Sequence, residues 1–293
     1  MGFINSRVAS VISLGGVCSG LVSCGQVGAM EGSFKVSESL LGNLENLLSN
    51  NGKSNLNTML KDLSEDGCAK FERIIDILSQ NDELEVLAGL LDKLDENGSL
   101  VFSKMINRVD DDGAGKLYLM LSKVSVADKS DVKKPYVVKF AGFLKSLDDV
   151  CVSSFSSVLG KKEFNNFGVN NLFHVVLKEL DEQGLRNIAG LLNKIQNEFV
   201  AEDFVWILND LSSSGVSNFS KVIESLTDMG ILNFVNALAD SEFNVEELVK
   251  RFNRKDFGAD AFVDKLINGG KNLNVEKFLS ELGLGGAIIG ECV

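Results

Sequence analysis

LSEDG, residues 63–67, decides the fold, because variants of this pentapeptide recur along the chain at a nearly constant spacing. Each begins with an apolar residue, continues with small polar or acidic residues, and in most cases ends in glycine. The apolar residue recurs at spacings of 15, 15, 16, 15 and 15 at Leu48, Leu63, Leu78, Leu94, Val109 and Val124. It recurs at spacings of 17, 16, 15, 16 and 15 at Leu147, Phe164, Leu180, Ile195, Leu211 and Leu226, and 16 apart at Leu266 and Leu282. This regularity predicts an internal structural repeat.

The segment between two pentapeptides has the pattern of an amphipathic helix. Phe71, Ile74, Ile75 and Leu78 follow the i, i+3, i+4, i+7 spacing of one apolar helix face. Ser or Asp in the pentapeptide can cap the following helix, and glycine can end the preceding helix in a left-handed conformation. Each unit is therefore predicted to be one helix of about 11 residues followed by a turn of about four.

A helix of about 16 Å is marginally stable alone, so the units must pack on one another. We predict an all-α fold, an α-solenoid of short antiparallel helices with units of 15–16 residues and hairpins of about 31 residues. A compact multi-helix bundle is the alternative, although bundles usually contain fewer and longer helices. The chain has a single proline, which suits a mostly helical protein.

The first residues have the pattern of an export signal, with Arg7 followed by an apolar and small-residue run, residues 8–23. Leu21-Val22-Ser23-Cys24 resembles the lipobox of bacterial lipoproteins. The resemblance covers only these residues, and it implies that Cys24 becomes the lipidated first residue of the mature chain. Two alternatives remain open: ordinary signal cleavage after Val27-Gly28-Ala29, and an uncleaved first helix packed on the body.

The predicted organisation follows from the repeat and from this signal. Residues 125–146 interrupt the repeat with several lysines and Pro135. We predict a signal peptide at 1–23 (1–29 for ordinary cleavage), a tether at 24–43, a repeat array at 44–124, an irregular insertion at 125–146, and a second array at 147–293.

Composition and motifs weigh against several functional classes. The net charge of −12 argues against a nucleic-acid partner. His174 is the one histidine, and the chain has neither a CxxC pair nor a nucleophile-elbow motif. If Gly67 is aligned with the glycine of an EF-hand calcium loop, Arg73 takes the place of the bidentate glutamate. We therefore expect no catalytic activity, cofactor, metal or small-molecule substrate.

The remaining hypothesis is a protein-interaction module, held at the membrane of the cell envelope by lipid. The alternative is a soluble or secreted scaffold or effector that binds a host or cellular protein. Phe199, Phe204 and Trp206 surround the unit IQNEF, residues 195–199, in which the repeat glycine is replaced. These three residues are the candidate partner-binding surface, and a core role for Trp206 is the competing interpretation.

Overall fold

The computed structural model describes residues 36–130, 136–240 and 243–268. The described residues form fifteen α-helices and one π-helical segment and contain no strand, so the predicted all-α fold is confirmed. The helices are α1 Glu38–Leu47, α2 Asn50–Asp62, α3 Glu65–Gln80, α4 Leu84–Lys93, α5 Glu96–Arg108, α6 Asp111–Ser130, α7 Tyr136–Ser146, α8 Asp149–Gly160, α9 Asn166–Phe173, α10 Glu182–Lys194, α11 Glu198–Asp210, α12 Ser213–Ser225, α13 Asp228–Leu238, α14 Val245–Phe252 and α15 Ala259–Asn268. The π-helical segment, His174–Glu179, continues α9.

The pentapeptide forms a two-residue linker and the first turn of the next helix. Leu63 and Ser64 are extended, and the Ser64 hydroxyl accepts a 3.0 Å hydrogen bond from the Gly67 N–H. The predicted cap is therefore confirmed. Gly67 lies within α3 and does not end α2, so the predicted left-handed glycine is wrong. The same cap-to-glycine hydrogen bond is made by Ser49, Asp95, Asp110, Asn165, Asp181, Ser212 and Thr227.

Each helix packs mainly on the second and third helices along the chain. Third-neighbour contacts arrange the helices in three columns of five: α1, α4, α7, α10 and α13; α2, α5, α8, α11 and α14; and α3, α6, α9 with its π-helical segment, α12 and α15. The packing unit thus contains three helices, whereas the sequence predicted a two-helix hairpin. The period of the pentapeptide fixes where helices begin, but it does not determine which helices pack together.

One continuous apolar core connects the three columns. The leading apolar residue of every pentapeptide from Leu48 to Leu226 is buried in it. Phenylalanine fills much of this core, and Phe71, Phe102, Phe155 and Phe219 are completely buried. The regular burial of these positions explains why the repeat is visible in the sequence.

Two predicted boundaries are wrong. The predicted irregular insertion at 125–146 is helical wherever the structure describes it, because α6 continues to Ser130 and α7 begins at Tyr136. Residues 131–135 lie outside the described residues. The lysines of this segment make its apolar pattern hard to recognise in the sequence. The members of that pattern in α7, Tyr136, Phe140 and Phe143, are buried. The predicted tether at 24–43 is too long, since α1 begins at Glu38.

Other predicted segments lie outside the described residues. These are the signal segment with Cys24, and the part of the second array beyond residue 268. In the part of the chain that the structure describes, each helix is too short or too polar to cross a lipid bilayer.

Candidate protein-binding site on helix α11

Helix α11 has one face in the core and an unusual exposed face. Its apolar stripe, Val200, Ala201, Phe204, Val205 and Leu208, is buried. Phe199, Asp203 and Trp206 follow the i, i+4, i+7 spacing of a single helix face. We call these three residues the α11 face.

The first turn of α11 fixes the position of Phe199. The Asn197 side chain caps the helix by accepting a 2.9 Å hydrogen bond from the Phe199 N–H. The Phe199 side chain is 73% exposed, and Trp206, two turns later, is 38% exposed. The structure therefore places two of the three predicted surface residues at the surface and on the same face.

Phe204 corrects the prediction. It is completely buried, and its ring lies against Phe219 at a centroid distance of 6.4 Å. Because Phe204 is in phase with Val200, Ala201 and Leu208, it faces the core of the array. Phe204 cannot contribute to a partner-binding surface in this fold.

A pocket of about 490 Å³ opens beside the α11 face, between α11 and the beginning of α14. Asp203 and Trp206 form the α11 side of this pocket. The α14 side consists of Phe243, Asn244, Val245 and Glu246. Aromatic rings and carboxylates thus line one concave surface, which we call the α11 pocket.

The two carboxylates of the α11 pocket differ in their electrostatics. Burial raises the pKa of the Asp203 carboxyl above its usual value, and the neighbouring charge of Glu202 acts in the same direction. Glu246 forms a 2.7 Å ion pair with Lys250, which lowers the pKa of the Glu246 carboxyl. Within the described residues, Asp203 makes no hydrogen bond or ion pair. The pocket therefore contains one carboxylate whose charge no described residue neutralises.

This arrangement suits the binding of a cationic group. The face of an indole ring attracts cations within about 6 Å of its centroid. A carboxylate in a partly desolvated pocket supplies a charge-assisted hydrogen bond.

The free cysteine Cys151 and the histidine His174 do not line the α11 pocket. Cys151 is buried, and burial raises the pKa of its thiol to about 11. Its thiol donates a 3.2 Å hydrogen bond to the Ala189 carbonyl oxygen. His174 lies edge-on to Phe173, and burial lowers the pKa of its imidazole. Nor do three or more His, Cys, Asp or Glu side chains in the described ranges meet in a geometry that could hold a metal ion.

The sequence prediction missed Asp203 and Phe243. A signal for Asp203 was present in the repeat: it lies six residues after the helix cap, where five other units have asparagine. Phe243 occupies the residue before the α14 cap, in the region where the period is least regular.

Comparisons with known proteins assign the chain to no family: no protein-family profile, curated protein or solved structure matches it.

Proposed function

We propose that this chain is a non-enzymatic helical-repeat protein that binds a protein partner through the α11 face. We further propose that lipid on Cys24 holds it at the membrane of the cell envelope. The alternative role, as a soluble or secreted scaffold or effector, uses the same binding face without the anchor.

The exposure of Phe199 and Trp206 carries this proposal. Among the described Phe, Tyr and Trp side chains, Phe167, Phe199 and Trp206 are exposed, and two of them share one helix face. Burial of a large apolar side chain contributes roughly 1.5–3 kcal/mol. Tryptophan is also enriched among the residues that dominate binding energies at interfaces. A partner that covers both rings would gain a large apolar contribution from one helix.

The repeat architecture supports a binding role. In a solenoid each unit contacts only its neighbours, so exposed residues can vary without disturbing the core. The α11 face illustrates this, because the opposite face of the same helix keeps the regular buried stripe.

Two features support the proposed lipid anchor: the lipobox-like residues 21–24 and the negative net charge of the chain. A net charge of −12 disfavours direct contact between the body and an anionic membrane surface. Lipid on Cys24 would keep the protein at the membrane while leaving the α11 face available to a partner.

Site-specific photo-crosslinking in the native cell tests the binding face. A benzoylphenylalanine at position 199 is expected to crosslink to one discrete protein. Position 167 is the matched control, because Phe167 is 74% exposed against 73% for Phe199. Equal crosslinking from both positions, or none from position 199, would contradict the proposed face.

Mass spectrometry of the native protein tests the anchor separately. The expected result is an N-terminal peptide that begins at Cys24 and carries a diacyl or triacyl mass. An intact Met1, or a chain that begins after Ala29, excludes the lipid anchor and favours the soluble or secreted alternative.

A further inference from the structure

Helix α11 departs from the repeat at Asp203, and the departure removes a hydrogen-bond donor. Five other units place asparagine six residues after the helix cap, where its amide donates to the end of the helix two further along. Asn187 is typical, with bonds of 2.7 Å to the Ile223 carbonyl oxygen and 2.9 Å to that of Leu226. The other four are Asn55, Asn171, Asn218 and Asn233. An ionised aspartate accepts hydrogen bonds but donates none.

Helix α6 shows that a lysine can fill the same position. Lys116, six residues after the Asp110 cap, donates 2.6 Å hydrogen bonds to the Lys161 carbonyl oxygen and to the Asp112 carboxylate. Its ammonium lies 5.9 Å from the centroid of the Phe164 ring. The surroundings of Lys116 thus combine a carbonyl oxygen, a carboxylate and an aromatic ring around one cation.

The α11 pocket is the counterpart of the pocket at Lys116. Phe164 and Phe243 each directly precede a helix cap, Asn165 in one unit and Asn244 in the other. Both phenylalanines line their pockets, which have volumes of about 580 Å³ and 490 Å³.

Two of the differences between the pockets decide how each would treat a cation. Asp203 takes the position of Lys116, and Trp206 takes that of Leu119. The α11 pocket therefore keeps the aromatic wall, gains an indole, and has a carboxylate where the other pocket has an ammonium.

We propose that the α11 pocket binds a lysine side chain of the protein partner, with its ammonium paired to Asp203 and its stem lying along Trp206 and Phe243. This inference rests on the proposed function and names the chemistry of the partner. The four-carbon stem of lysine suits the apolar walls, and its charge suits a carboxylate that has no partner among the described residues. The partner thus supplies the cation that Lys116 supplies within the chain.

Trp206 provides a direct readout, because it is the one tryptophan of the chain. Its fluorescence is measured during titration with Nα-acetyl-lysine amide, and Nα-acetyl-norleucine amide is the neutral control. Nα-acetyl-lysine amide is expected to give a saturable change in Trp206 fluorescence, and Nα-acetyl-norleucine amide is expected to give none. An equal response to both compounds, or no saturable response to lysine amide, would overturn the proposal.

Two variants of one residue sharpen the test. Asp203→Asn restores the usual residue of the repeat and removes the charge, so the apparent affinity for lysine amide should fall at least tenfold. Asp203→Lys supplies an internal ammonium, as at position 116, and should also abolish the response. Thermal unfolding checks that both variants remain folded. An unchanged affinity in folded Asp203→Asn would contradict the pairing of the lysine ammonium with Asp203.

Crosslinking from position 199 separates this inference from the proposed function. Reduced crosslinking in Asp203→Asn supports a lysine of the partner in the pocket. Crosslinking that persists unchanged in Asp203→Asn contradicts lysine binding in the α11 pocket. It does not contradict partner binding through the α11 face. If the chain with benzoylphenylalanine at position 199 and an unchanged Asp203 gives no crosslink, partner binding through the α11 face is refuted. This holds whatever the fluorescence response to Nα-acetyl-lysine amide.

Discussion

Asn107 closes the linker between α2 and α3 by bonding to Ser64, 43 residues earlier in the chain. Asn107 Oδ1 accepts hydrogen bonds from the Ser64 N–H at 2.9 Å and from its hydroxyl at 3.0 Å. Asn107 Nδ2 donates a 2.9 Å bond to the Asp62 carbonyl oxygen. Gly67 makes room for this amide, because a Cβ at Gly67 would overlap Asn107 Oδ1. The equivalent overlaps are Gly52 with Asp92, Gly168 with Asn209, and Gly215 with Asn253.

The first prediction concerns this close approach. Gly67→Ala should lower the free energy of unfolding by about 1–3 kcal/mol, because the added methyl group displaces Asn107 from the linker. Gly142→Ala is the matched control, since Gly142 is exposed within α7 and a Cβ there meets nothing within 4 Å. That control should raise stability by about 0.5–1 kcal/mol through helix propensity. Urea unfolding measures both, and a neutral Gly67→Ala would contradict the packing role.

The sequence predicted the Ser64 cap in LSEDG correctly and the role of Gly67 incorrectly. Capping by Ser64 involves an amide three residues away, so spacing alone indicates it. The reason for Gly67 lies in Asn107, on a different helix, and no local rule connects these two residues. The same distinction explains why the helices were predicted and the three-column packing was not.

The candidate surface shows a different kind of error. Phe199, Phe204 and Trp206 were grouped because they are close in sequence, but helical phase separates them. Phe204 is in phase with the buried stripe, so the pattern already contained the information needed to exclude it. Phe243 could not be assigned to the same pocket, because its proximity to Asp203 depends on how α11 and α14 pack.

The second prediction separates the two faces of α11. Phe204→Ala should lower the free energy of unfolding by about 3–5 kcal/mol, because it leaves a cavity in the core. Phe199→Ala should change it by less than about 0.5 kcal/mol, as expected for an exposed side chain. Chemical denaturation of the two variants compares them directly. A large stability loss in Phe199→Ala would show that Phe199 has a structural role and would remove it from the binding face.

The third prediction concerns the asparagine position in a regular unit. Asn187→Asp should lower the free energy of unfolding at pH 7 by about 1–3 kcal/mol, because buried carbonyl groups lose their donor. Asn236→Asp is the matched control: Asn236 is exposed within α13, and the change should stay within about 0.5 kcal/mol. Equal effects in the two variants would show that the amide bonds of Asn187 contribute nothing specific.

The fourth prediction reverses this substitution in α11 and includes its pH dependence. Asp203→Asn should raise the free energy of unfolding at pH 7 by about 0.5–1.5 kcal/mol, because an amide donor replaces a partly desolvated charge. Burial raises the pKa of Asp203 in the folded protein, so the folded state holds this proton more tightly than the unfolded state. The wild-type protein should therefore lose stability as the pH rises from the usual pKa of aspartate through the raised one.

The difference between variant and wild type isolates this effect. Glu202 and Glu246 also lie near Asp203. The lowered pKa of Glu246 gives the opposite trend, with stability lost as the pH falls. Both residues are present in both proteins, so their contributions largely cancel in the difference. Urea unfolding at a series of pH values should show the advantage of Asp203→Asn growing as the pH rises through the raised pKa of Asp203. An advantage that does not vary with pH would show that the Asp203 charge does not oppose folding.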